Sequence, residues 1–232
     1  MLTLHPELTP KQYIDNWVKI CMAETPEEYE KKERELQEQK AKKLIAERDR
    51  WYKEHSGAPS KYWEESFETY KPTPENKMTY EWLKGYVCAV QSKTNTKDLV
   101  FISGEKGTGK THLGCAFVRE MKGRILTSFE LCTTYESCKD FNSQKTRIQY
   151  LKEICSYPVL VIDEIGKGVP AIENLVMPFI VNEFYGSGKI LVFMGNVNAE
   201  SFHKIIGEDG EDRMKEKGVY LTLTGVSQRG TI

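Results

Sequence analysis

The sequence has no apolar stretch near the ~18 residues that would span a bilayer; its longest apolar runs, at 158–162 and 190–194, are strand-length. Its first residues lack a basic region followed by an apolar core, so no secretion signal is expected and a cytoplasmic location is. There is no Cys-x-x-C pair either. The six cysteines, at 21, 88, 115, 132, 138 and 155, are scattered, which argues against a zinc site and for reduced thiols. Net charge is almost absent, at −1 from 33 basic and 34 acidic residues. The molecule is therefore no polycation, and any nucleic-acid contact has to come from a local patch.

What is present fits a soluble globular chain: 232 residues, 29% charged and 39% hydrophobic, enough for one mid-sized domain and an accessory segment. The first 70 residues differ from the rest in composition. Thr25-Pro26-Glu27-Glu28 is a helix-start signal, with a Thr cap, Pro at the first helical position and Glu three residues after the cap. From there to about His55 the chain lacks glycine and further proline and alternates charge sign closely. Tyr29, Leu36, Leu44, Ile45, Trp51 and Tyr52 fall at roughly helical intervals. Such a thin seam calls for a partner surface, either the flanking Trp17 and Trp63 segments or another protein. The plainer alternative is a solvated helix lying on its own domain. Pro72 and Pro74 mark a linker at 71–78. The expected organisation is a helical domain over 1–70, that linker, and a main domain over 79–232.

In the main domain, strand-like and helix-like runs alternate. Strands are expected at 99–103, 124–128, 158–163, 189–195 and 219–224. Helices are expected at 77–91, 110–122, 144–155, 170–186 and 199–217, the last broken at Gly207 and Gly210. The alternation predicts an α/β fold, a parallel five-stranded sheet flanked by helices, with ligands at the carboxyl ends of the strands.

The segment Gly104-Glu105-Lys106-Gly107-Thr108-Gly109-Lys110-Thr111 follows the apolar run 99–102 and fits the pattern G-x-x-x-x-G-K-[ST] in full. A strand delivers the chain to a glycine-rich turn whose backbone amides can wrap phosphates. The helix opening at Lys110 adds its positive N-terminal dipole. Lys110 is placed to reach outer phosphates, the Thr111 hydroxyl to ligate Mg²⁺, and His112 to complete the binding segment. The context implies binding of a nucleoside triphosphate.

A second apolar strand, from 158, ends in Asp163-Glu164-Ile165-Gly166. It brings two carboxylates to the edge where the phosphates lie. Asp163 suits the Mg²⁺ shell, and Glu164 suits a water nucleophile as base or orienter. An ordinary acidic strand end is the alternative without the phosphate loop. The run at 190–194 leads to Asn196, able to hydrogen-bond the water or the γ-phosphate, though a turn asparagine is the common case. Arg213 lies in a charge-rich helix, where it is either solvated or able to reach a neighbouring subunit's site. Arg229 follows in a polar tail.

Together, Leu160-Val-Ile-Asp-Glu-Ile-Gly166, the strand ending at Asn196, Asp212-Arg213-Met214 and Ser227-x-Arg229 resemble the DnaC-type replicative helicase loaders of the AAA+ class. Ser66-Phe67-Glu68-Thr69-Tyr70 resembles that family's short aromatic signature. The resemblance covers about residues 62–230. It implies an AAA+ P-loop NTPase using ATP and Mg²⁺, with Asn196 as first sensor, Arg213 as trans-acting arginine finger and Arg229 as second sensor. It further implies docking on a replicative ring helicase through the N-terminal domain, single-stranded DNA binding, and self-association through the ATPase domain, with no membrane. Gln228 stands where the family usually has Tyr, and the N-terminal zinc cysteines of some loaders are absent.

For single-stranded DNA, Lys139, Phe141, Lys145 and Arg147 combine cations with an aromatic ring, the mix a single-strand groove uses. An ordinary helix-loop-helix with Phe141 in the core is equally compatible. Two further readings remain open at this level: an IstB-type transposition helper on the same core, acting on duplex DNA with a transposase, and a small-molecule or nucleotide kinase, for which no arginine-rich lid is evident.

Overall fold

The protein is described here as a computed structural model covering residues 9–22, 26–94, 97–140 and 143–225. The chain divides into two compact units, with the division at Arg48 and Asp49. In the first unit, α1 (Pro10–Met22) leaves Ile14, Trp17 and Val18 exposed at i, i+3 and i+4. α2 (Pro26–His55) begins at the proline that the cap signal marks; Thr25 itself lies outside the described residues. Its charges pair along the helix, as in Glu30 with Arg34 and Lys43 with Glu47, and Leu36, Leu44 and Ile45 remain exposed.

The second unit starts well before the domain boundary expected at residue 70. Tyr52, Phe67 and Tyr70 are buried in its core, so 49–70 pack with the main domain and do not form part of a separate one. The proline segment is likewise tied down. The Asn76 side chain accepts the Thr224 amide at 2.8 Å, and the Thr79 hydroxyl donates to the Thr222 carbonyl at 2.9 Å. Buried Asn76 thus ties the otherwise largely exposed 71–78 connection to the main domain.

After a 3-10 turn at Ser60–Tyr62 come α3 (Lys77–Gln91), β1 (Leu99–Gly104), α4 (Lys110–Met121), β2 (Arg124–Thr127), α5 (Ser128–Ser137) and α6 (Arg147–Ile154). β3 (Val159–Ile165), α7 (Pro170–Phe184), β4 (Ile190–Gly195), α8 (Ala199–Lys217) and β5 (Gly218–Leu223) complete the unit. The five strands form one sheet in the order β2-β3-β4-β1-β5, and every pairing is parallel, as expected from the alternating runs. α5 was not among the expected helices. Thr127 and Glu130 cap it reciprocally, side chain to backbone in both directions. α8 turns sharply at Gly207 (φ +76°) but passes through Gly210 without a break.

Successive strand residues point to opposite faces of a sheet. Val100, Ile102, Val161, Val192 and Met194 face α3, α4 and the aromatic residues of 52–70. Leu99, Phe101, Leu160, Ile162 and Phe193 face the layer of α5 to α8. Because both faces are covered, the strands read as continuous apolar runs. In the second layer the Phe202 ring lies parallel to that of Phe101 at 4.0 Å and edge-on to Phe193 at 5.0 Å. Phe202 is fully buried. Phe202→Ala is therefore expected to destabilise the unit by about 3–5 kcal/mol, measurable by denaturant unfolding.

Candidate nucleotide-binding site

β1 carries the chain to the carboxyl edge of the sheet, and residues 104–109 turn it back into α4. The turn depends on Gly109, whose φ is +89°, and whose would-be Cβ would sit 2.4 Å from Tyr70 Cε2. A side chain there meets both backbone strain and a ring. Lys110 Nζ donates to the carbonyls of Gly104 and Glu105 at 2.7 Å each, which places its charge against the loop backbone. Thr108 is buried, and its hydroxyl donates to the Glu105 carbonyl at 2.9 Å.

Thr111 opens the first turn of α4, where its hydroxyl donates to Asp163 Oδ2 at 2.6 Å. Asp163 is 5% exposed. Burial pushes its carboxyl above the usual carboxylate range, while the Thr111 hydroxyl and the Glu164 amide pull it down. Glu164 adds repulsion and Lys110 attraction. A buried carboxylate beside a hydroxyl oxygen, at the foot of a cationic loop, is a donor pair suited to a hard divalent cation.

β3 is irregular where the acids lie. Its register with β4 shifts between Ile162 and Ile165, and Glu164 takes φ +56°, a conformation rare outside glycine. The bulge turns Glu164 out to solvent while Asp163 stays inside. The Glu164 carboxylate pairs with Lys167 Nζ at 2.7 Å. Asn196 follows β4 directly and joins the same cleft.

That cleft, of about 240 Å³, is lined by Lys106, Gly107 and 109–112 of the loop and helix start, together with Asp163, Glu164 and Asn196. Tyr62, Glu65 and Lys167 complete its wall, and none of the three was anticipated from the sequence. The His112 ring is held at both nitrogens. Its Nδ1 lies 3.0 Å from Glu65 Oε2, and its Nε2 lies 2.8 Å from the Ser66 carbonyl. His112 thus braces the preceding segment as well as lining the cleft. The same segment ends in Tyr70, whose hydroxyl donates to the Thr108 carbonyl at 3.0 Å and whose ring stacks on Tyr80. The Ser66–Tyr70 stretch therefore works as a collar on the phosphate loop, a role visible in the sequence only as a family signature.

The remaining expected residues lie elsewhere. Arg213, half-buried on α8, sits over the Tyr185 ring at 5.5 Å and does not line the cleft of its own chain. Arg229 and Phe141 lie outside the described residues. Lys139 and Arg147 both pair with Glu136, and Lys145 pairs with Glu153 at 2.5 Å, so these cations are balanced by acids of the same region. Arg147 also lies over the Tyr135 ring. Of the cysteines, Cys115 lies on the buried face of α4, with its thiol pushed up to about 12 by burial, as is that of Cys155; both are core fillers.

Gly109→Ala is expected to cost about 1–2 kcal/mol through positive φ alone. Removing the ring contact with Tyr70→Ala in the same protein should not restore the loss. Thermal unfolding of the single and double variants checks both statements.

No protein-family model matches the sequence. The chain is similar to the replicative helicase loader DnaC of Escherichia coli strain K12, at 30% identity over 155 residues, 65% of this chain and 62% of that protein. It thus spans less than two thirds of the length of the curated relative it matches. Among solved structures, the DnaC helicase loader superposes with a TM-score of 0.60 at 18% identity, over 71% of this chain and 99% of that one. AMPPCP-bound DnaA from Aquifex aeolicus superposes with a TM-score of 0.56 at 20% identity, over 72% of this chain and 51% of that one. At these identities the superpositions establish the fold, and the sequence match extends over about two thirds of the chain. The chain is thus similar in sequence to the DnaC replicative helicase loader and shares the α/β fold of the DnaC and DnaA structures.

Proposed function

We propose that this chain is an ATP-dependent loader, which binds a replicative ring helicase and delivers it onto single-stranded DNA at the initiation of replication. It hydrolyses ATP to ADP and phosphate at interfaces between its own copies. The observation that carries this reading is the convergence of Lys110, Thr111, Asp163 and Glu164 on one cleft in a chain related to a helicase loader.

The loop amides and the α4 N-terminus receive the phosphates, and Lys110 exchanges its bonds to the Gly104 and Glu105 carbonyls for phosphate oxygens. Thr111 and Asp163 would hold Mg²⁺, which when bound neutralises charge on the terminal phosphates. Glu164 takes the proton of the attacking water after releasing Lys167, and Asn196 orients the water or the γ-phosphate. Arg213, outside its own cleft, supplies transition-state charge to a neighbouring copy. Arg229 fills the second-sensor role of the resemblance.

The exposed seam Ile14, Trp17 and Val18 on α1 is the surface offered to the helicase. Single-stranded DNA lies along Lys139, Phe141, Lys145 and Arg147, where its phosphates displace Glu136 and Glu153 from the cations. No helix among the described residues is long and apolar enough to cross a membrane, and the working location is the cytoplasm.

Glu164→Gln is expected to retain Mg²⁺-dependent ATP binding while losing turnover by about 100-fold or more, read by phosphate release. Arg213→Ala should lower turnover only where copies assemble; equal turnover with the parent in the assembled state would remove the finger from the scheme. Trp17→Ala is expected to weaken co-elution of the full chain with a purified ring helicase by about tenfold, with ATP binding unchanged.

A further inference from the structure

We infer that Glu173 is a positioning residue for Glu164: a buried carboxylate that pins the turn after β3 and so holds the acid pair in its bulged, working geometry. This rests on the hydrolytic role proposed for Glu164.

Glu173 lies in the first turn of α7 and is 2% exposed, in a protein whose other acidic residues are mostly solvated. Burying a carboxylate is unfavourable unless its lone pairs are used. Here one oxygen, Oε1, accepts the Ser128 hydroxyl at 2.5 Å and the Gly166 amide at 2.8 Å. Ser128 is fully buried at the start of α5. The carboxylate therefore joins three elements: α5, α7 and the turn that follows the acid pair. The enclosure is tight. A Cβ at Gly168 would lie 2.6 Å from Ser128 Oγ and 3.1 Å from Glu173 Cδ.

That turn contains the strained residue. Glu164 at φ +56° persists only where its surroundings over-determine it. Two restraints are local: the Glu164 amide donates to Asp163 Oδ1 at 2.8 Å, and the Lys167 amide donates to the Glu164 carbonyl at 3.0 Å. Neither ties the turn to the rest of the domain. Strand pairing of Ile165 with Gly195 anchors it from the β4 side, and Glu173 anchors it from the helical layer. Without that second anchor the Gly166 amide loses its buried acceptor, and the bulge is free to relax towards ordinary strand geometry. Glu164 would then return to the sheet direction and leave the cleft.

The test compares full-length Glu173→Ala and Glu173→Gln with the parent. Hydrogen exchange resolved to peptides, melting temperature and ATP turnover are followed together. In Glu173→Ala, exchange across 163–168 is expected to speed up about tenfold or more while 159–162 stays protected. Turnover should fall about 10- to 100-fold with KM within about threefold of the parent. Glu173→Gln keeps an acceptor oxygen and should restore both readouts. Unchanged exchange across 163–168 in Glu173→Ala, or faster exchange spread evenly over the whole sheet, would overturn the positioning role. So would a fall confined to ATP affinity. If Glu173→Ala does not fold, Glu173→Asp, one methylene short of its partners, is read by the same criteria. If the parent itself hydrolyses no ATP, the proposed role of Glu164 fails, and the exchange pattern alone still decides whether Glu173 holds the turn.

Discussion

Parallel pairing of β3, β4 and β1 is the constraint from which the site follows. Three strands running the same way end at the same edge, and each ends in a different chemical group. β1 ends in the phosphate loop, β3 in Asp163 and Glu164, and β4 in Asn196. These residues are about 30 to 90 positions apart in the chain. The hydrogen-bond register brings them to one cleft without any long loop having to find them. The crossover helices that parallel strands require cover both faces, so the strand bodies are apolar and polar chemistry is confined to their ends.

Within that frame, the two acids of β3 are given opposite environments by a single irregularity. Asp163 keeps the strand direction and is buried against Thr111, where its charge is unfavourable by itself and favourable beside a cation. Glu164 is turned outward by its left-handed backbone, paired with Lys167 and open to solvent. A regular strand would send the two side chains to opposite faces and bury the second acid on the far side. The bulge keeps both at the same cleft. Its cost is carried by the surrounding structure, with Gly195 close beneath Ile165 and the buried carboxylate of Glu173 behind Gly166.

The phosphate loop is supported from outside the sheet as well. Residues 49–70 pack on α4: Asp49 pairs with Arg119 at 2.9 Å, Arg119 lies over the Tyr52 ring, and Tyr70 closes on Gly109. This explains why the compact unit begins at Asp49, since without these residues the outer side of α4 would expose an apolar surface. Arg213, by contrast, takes no part in the cleft of its own chain and lies over the Tyr185 ring.

Much of this was readable from local pattern. The five apolar runs, the loop from Gly104 to Thr111, the acids at 163 and 164 and the Pro26 helix start each depend on neighbours in the chain. Backbone geometry translates such patterns directly into strands, turns and caps. α5 had a local signal too, in Thr127 and Glu130, but its mixed composition hid the helix behind it. The domain boundary was misplaced because Pro72 and Pro74 signal only that a helix or central strand stops, and carry no information on what the segment packs against. The roles of Tyr70, Glu65, Lys167 and Glu173 come from contacts across the fold. No pattern around Glu173 announces a carboxylate buried under Ser128 and Gly166. Local sequence thus specifies which backbone shapes form and which reactive groups end them. Tertiary packing alone decides which distant side chains hold those groups in place, because burial and hydrogen-bond partnership exist only once the sheet has brought the elements together.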